Sequence, residues 1–184
     1  LRSEAIKIIV DDEWSDIWFF PEYNGVKGYL GTEDITFLGL NPSTGASFSE
    51  QDKLFYDLLK DNGFANAHIT DWIRRRISHN RVKSTLTDMR ITKQETEFLR
   101  RELDILKPIM VVKVGKSWDG EWDELFSKTQ GEKIDSFLRK ASRNEDLVIE
   151  TIIHYSPLFR NPQNKVKLTK DIIRIRERYA SLKE

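Results

Sequence analysis

The sequence predicts an α/β fold, a three-layer α/β/α sandwich around a central four-stranded parallel sheet. Two observations carry this. Four short apolar runs, at 35–40, 65–70, 109–115 and 147–153, alternate with segments of helical apolar spacing. Strands alternating with helices imply right-handed crossovers and a sheet covered on both faces. The first, third and fourth runs are also rich in β-branched residues and nearly continuously apolar, as strands buried on both faces tend to be.

Taken in order, residues 1–34 read as an extended or hairpin preamble, with turn signals at Pro21 and Asn24-Gly25. QDKLFYDLLKDNG sets Leu54, Leu58 and Leu59 on one helical face and stops at Asn-Gly. TKQETEFLRRELDILKP sets Phe98, Leu99, Leu103 and Leu106 on one face, opens on a cap signal at Thr92 and ends before Pro108. EWDELFSKT and EKIDSFLRKAS follow the third strand, and KLTKDIIRIRERYASLK closes the chain as a basic, amphipathic helix. With no repeat and no low-complexity linker, residues 1–184 are expected to form a single domain.

Composition narrows the function classes. The chain has 184 residues, 39% hydrophobic and 33% charged, with zero formal net charge. A neutral chain has no global pull toward nucleic acid, although a local patch is enough for a brief encounter. The absence of cysteine excludes disulfides, thiolate zinc sites and cysteine-ligated iron–sulfur clusters. The longest apolar run, 109–112, is too short to span a bilayer, and LRSEAIKIIVDD lacks the order of a signal peptide. An intracellular monomer, in cytoplasm or nucleus and without a membrane partner, is the expectation.

In such folds ligands bind beyond the carboxyl ends of the strands. Three segments fall there: GLNPSTGASF after the first strand, TDWIRRR after the second, and HYSPLFRNPQN after the fourth. Alone, GLNPS reads as a turn before it reads as a site, and His154, like His68 and His79, as a hydrogen-bonded structural histidine.

Together, GLNPS (39–43), HYSP (154–157), RNPQ (160–163) and the intervening LDILKPIMVVKVGK resemble the uracil-DNA glycosylase superfamily. The nearest branch is the single-strand-selective monofunctional one. The resemblance runs over about residues 36–165. It departs from that branch at Ser43 for glycine, at Tyr155 for proline, and in an inserted Leu158-Phe159. It implies a DNA repair enzyme that flips a damaged or deaminated base, uracil or a relative, from single- or double-stranded DNA and hydrolyses its glycosidic bond. No cofactor and no metal are implied.

The residue chemistry agrees with that implication. Glycosidic cleavage develops oxocarbenium character on the sugar and negative charge on the base. Asn41 can aim a water at the sugar carbon, but an amide is no strong base, so the base must leave as a stabilised anion. His154 can donate a hydrogen bond to that anion, worth on the order of 3 kcal/mol. Gly39 and Leu40 fall to the base-binding wall. Phe48 is a stacking platform for the flipped base or, equally, a core residue at the helix entry. Ser43, Thr44 and Ser156 can hold phosphates. Leu158, Phe159 or Arg160 can wedge into the vacated stack, or the apolar pair can anchor its loop in the core. Lys116, and a cluster of Arg74, Arg75, Arg76, Arg81 and Lys83 with no neighbouring acids, can grip the strand, as can Lys165, Lys167 and Lys170. A solvated face is the alternative for such runs.

Two residues stand apart. Lys113 interrupts an apolar strand, and either snorkels to water, approaches the base or pairs with Asp71. Asp71 sits where uracil readers of the superfamily place asparagine. An ionised aspartate only accepts hydrogen bonds and would repel uracil O4, favouring a base with adjacent donors. Otherwise Asp71 faces away, capping a helix or pairing with Arg74 or Arg75. Two other functions are therefore kept open: a non-catalytic nucleic-acid binder of the same fold, and a hydrolase of free nucleosides or RNA.

Overall fold

The computed structural model describes residues 17–41, 49–76, 81–155 and 162–184. In chain order the elements are β1 (Ile35–Gly39), α1 (Glu50–Asp61), β2 (His68–Asp71), α2 (Val82–Thr87), α3 (Met89–Leu106), β3 (Met110–Val114), α4 (Glu121–Gln130), α5 (Ile134–Ser142), β4 (Val148–Ile152) and α6 (Pro162–Ser181). The four strands form one sheet in the order β2-β1-β3-β4, every pairing parallel. Phe37 on β1 stands level with Ile69 on β2 and Val112 on β3. The α/β architecture with a four-stranded parallel sheet is as the sequence predicts.

Alternation along the strands divides the interior into two cores. Ile35, Phe37, Ile69, Met110 and Val112 face α1 and α6, where Phe55, Leu59, Leu168, Ile172 and Ile175 bury against them. Leu38 and Val111 face the other way, onto Leu99 and Leu103 of α3, Phe126 of α4 and Phe137 and Leu138 of α5, with Trp72 and Trp118 filling the upper part. Among the described residues no helix is long and apolar enough to cross a membrane.

Several boundaries differ from the sequence expectation. β2 begins at His68, not Ala65, because Asn66 serves the preceding turn: its side chain accepts from Thr32 N–H, and its carbonyl from Glu33 N–H. The strand therefore includes Asp71 as its last residue. α3 starts one turn before Thr92, since the Asp88 side chain caps it by accepting from the N–H groups of Arg90 and Ile91. α1 opens on a capping box, Ser49 Oγ accepting from Asp52 N–H while Asp52 Oδ2 accepts from Ser49 N–H at 2.8 Å. β4 is an edge strand, so Val148 to Thr151 are only half-buried, contrary to a strand covered on both faces.

The largest correction concerns Arg74. It was expected on a basic surface, yet it is 0% exposed. Its guanidinium donates to Glu102 and to Thr70 Oγ1, stands 3.6 Å from Glu95 and lies over the Phe98 ring. Arg75 is also drawn to Glu95, at 3.3 Å, and Lys83 pairs with Glu121. The acids that balance this cluster come from α3 and α4, distant in sequence, and so gave no sign near the arginines. Arg76 lies over the Trp18 ring, while Arg81 stays exposed.

Two stability predictions follow from this buried polar layer. Arg74→Ala leaves Glu102 buried without its arginine and Glu95 with Arg75 alone, and is expected to cost about 3–5 kcal/mol in urea denaturation. Burial, reinforced by Arg74, pushes His68 from 6.5 down to about 3, so it stays neutral beside Glu102. Its contribution is complete above pH 6.5 and is lost as pH falls toward about 3. Urea midpoints are therefore expected to drop between pH 6.5 and about pH 5, and to drop less in His68→Gln.

Candidate active site

Parallel pairing brings all four strand carboxyl ends to one edge of the sheet. β1 delivers Gly39, Leu40 and Asn41 there, all half-buried. β2 delivers Asp71, paired in register with Gly39. β3 ends at Val114 and is followed by Gly115, and β4 is followed by Ile153, His154 and Tyr155. Two backbone bonds, Trp72 N–H to Gly39 O and Ile73 N–H to Leu40 O, extend the β1–β2 pairing past the strand ends and fix the approach to Asn41.

His154 lies over the end of β3. Gly115 has φ 120, which favours glycine, and a Cβ there would stand 3.7 Å from the His154 ring. The chain entering this corner is held by the Asp171 carboxylate of α6, which accepts from Ile153 N–H at 3.1 Å. Burial lowers the His154 pKa below its ordinary 6.5, opposed by the negative charge of Asp52. The ring is thus a neutral imidazole at pH 7, able to donate one hydrogen bond without carrying charge.

Tyr155 is a residue whose role sequence reasoning missed. Its ring is sandwiched, with Phe55 of α1 stacked at 4.7 Å on one side and His154 stacked at 4.6 Å on the other. Its hydroxyl bonds Asp52, the residue that closes the α1 capping box. Three rings and a cap therefore connect the start of α1 to the end of β4. The signal was present as the departure from proline at 155, but nothing local says which helix the ring will meet.

Asp71 points into the core that holds Ile69 and Phe37, away from Arg74. It is 4% exposed, and Oδ2 has no hydrogen-bond partner among the described residues. Oδ1 occupies space that a side chain at position 39 would need: a Cβ on Gly39 would lie 2.1 Å from it. Burial raises the Asp71 pKa to about 8; Arg74 lowers it, while Asp52 and Glu95 raise it further. The capping and ion-pairing alternatives for Asp71 do not occur among the described residues, since Arg74 and Arg75 bind Glu95 and Glu102 instead.

Lys113 takes none of the site roles considered for it. It projects from the opposite face of the sheet, where Nζ meets Asp135 at 3.0 Å and Asp119 at 3.3 Å. Lys116, in a single turn at Lys116–Asp119, is exposed near the strand ends, and Lys165, Lys167 and Lys170 are exposed on α6. Among the described residues no group of three or more acids and histidines is arranged to hold a metal ion. Ser43, Thr44, Phe48, His79, Ser156, Leu158, Phe159 and Arg160 lie outside the described residues.

An amide on one strand end, a neutral imidazole on another and a protonatable carboxyl on a third suit the handling of a neutral, polar ring. No curated protein sequence matches the chain. The family model of the Uracil DNA glycosylase superfamily matches residues 28–176, from the turn before β1 into α6, and the chain belongs to that superfamily.

Proposed function

We propose that the protein is a monofunctional DNA glycosylase, hydrolysing the glycosidic bond of a flipped deaminated or damaged base and leaving an abasic site. The observation that carries this reading is that Asn41, which follows β1, and His154, stacked on Tyr155 beside Gly115, both emerge at the carboxyl edge of one parallel sheet. The base leaves the stack, or is already single-stranded, before it enters the site. As its bond to the sugar C1′ lengthens, the electron pair stays with the base and the sugar becomes oxocarbenium-like. The Asn41 carbonyl orients a water toward C1′, and the new C–O bond forms as the base departs. A proton from that water passes to solvent, and the base is protonated after leaving. His154, neutral, donates to the base oxygen on which charge accumulates.

The non-catalytic binder is the weaker reading, because burial withdraws Arg74 from the surface such a binder would use and Glu121 offsets the charge of the exposed Lys83. No lysine is assigned a Schiff-base role, so strand cleavage by the protein is not part of the proposal.

Single- and double-stranded oligonucleotides carrying uracil, hypoxanthine or xanthine, treated with alkali after incubation, reveal base release as strand breaks. Asn41→Ala is expected to abolish release, and full activity in that variant would refute the assignment. His154→Ala is expected to slow it about a hundredfold, the equivalent of roughly 3 kcal/mol. Tyr155 acts through His154 as a positioning residue. Tyr155→Ala is expected to lower kcat about two- to tenfold with KM nearly unchanged, from the ~0.5–1.5 kcal/mol such a ring pair contributes. Tyr155→Phe, which keeps the rings, should retain most of that rate.

A further inference from the structure

Asp71 has three properties that ask for a ligand. Its carboxyl is nine-tenths buried at the end of β2, pressed on the Cα of Gly39 two residues before Asn41. Oδ2 lacks a hydrogen-bond partner among the described residues, and a buried polar atom without one is rare in a folded protein unless it serves a purpose. Arg74, the cation nearest in sequence, is bound to Glu102 on the other face of the sheet.

The charged and titratable groups acting on this carboxyl come from each element around it. Asp52 and Tyr56 belong to α1, Tyr155 follows β4, Arg74 follows β2, and Glu95 belongs to α3. Arg74 alone favours the ionised form; Asp52, Glu95 and burial all oppose it. A neutral carboxyl differs from a carboxylate in recognition as well as charge. It accepts at one oxygen and donates from the other, whereas the ion only accepts.

We propose that Asp71 reads the flipped base as a neutral carboxylic acid, pairing with an edge that carries a ring N–H beside a carbonyl. That edge is shared by uracil, hypoxanthine and xanthine, and the carboxyl makes two hydrogen bonds to it, one in each direction. The acid thus does the work of an amide, and the repulsion that an ionised aspartate would exert on the base carbonyl is absent. This inference rests on the base-excision reading, whose substrate class it specifies.

The test uses the wild-type protein with a single-stranded oligonucleotide carrying one 2′-fluoro-arabino-uridine, whose glycosidic bond resists hydrolysis. With 13C-labelled aspartate, the Asp71 carboxyl signal is identified by its disappearance in Asp71→Asn. It is expected to titrate near 8 in the free protein and to stay protonated to higher pH in the complex. Affinity for the strand should weaken about tenfold from pH 7 to about pH 9, beyond any loss seen in Asp71→Asn, whose amide donates and accepts throughout. An Asp71 signal titrating with ordinary carboxylates near about pH 4, or one pH dependence shared by both proteins, would overturn the proposal. If the analogue binds with this pH dependence while the matching uracil strand is never cut, the hydrolytic reading fails and the role of Asp71 stands.

Discussion

The parallel pairing of β1 with both β2 and β3 is the constraint on which the rest of the molecule depends. β1 is central and buried along most of its length, so its register fixes which residues of each neighbour lie level with its end. Gly39 is set beside Asp71 by that register, and Asn41 follows two residues later. Because every strand runs the same way, their carboxyl ends share one edge, and backbone freed from the sheet can be given to ligands rather than to further pairing. The site is thus an outcome of topology before it is an outcome of side chains.

Side chains then impose opposite electrostatic regimes on the two faces of the sheet. On one face, buried cations are kept in company: Arg74 with the buried Glu95 and Glu102, and Lys113 with the partly exposed Asp119 and Asp135. On the α1 side, Asp71 is buried without a cation and is kept uncharged instead. A carboxyl whose pKa is raised by folding favours the folded state fully only below the unfolded value, here 3.8, and that advantage is lost as pH rises toward about 8. At neutral pH Asp71 therefore works against folding relative to an amide of the same shape. Such a cost is tolerated where function needs it.

Much of the architecture was legible from alternating apolar runs and helical spacing, because both report burial directly. Strand and helix order follow from them, and so does the edge at which Asn41, Asp71 and His154 emerge. What escaped was long-range polar pairing. Arg74 reads as surface charge because Glu95 and Glu102 come from another helix. A trace was present in α3, where both glutamates share a helical face with Leu99 and Leu103, an odd company for solvated acids. The position of Asp71 is legible in the sequence but its protonation is not, since that is set by burial rather than by neighbours in sequence. Tyr155 was visible only as a substitution, because its stacking partner Phe55 is a hundred residues away.

The ionic layer around Arg74 has a consequence for how the protein responds to heat. Removing charges from water is costly in the cold, and the penalty shrinks as temperature rises because hydration of ions becomes less favourable. The apolar contribution per unit area meanwhile levels off. The segment running from Asp71 to Arg75 is tied down on one side by those ions. Warming consequently weakens this anchor less than it would an apolar one of similar strength at room temperature. The end of β2, which carries Asp71, is set to hold its geometry until the surrounding core gives way.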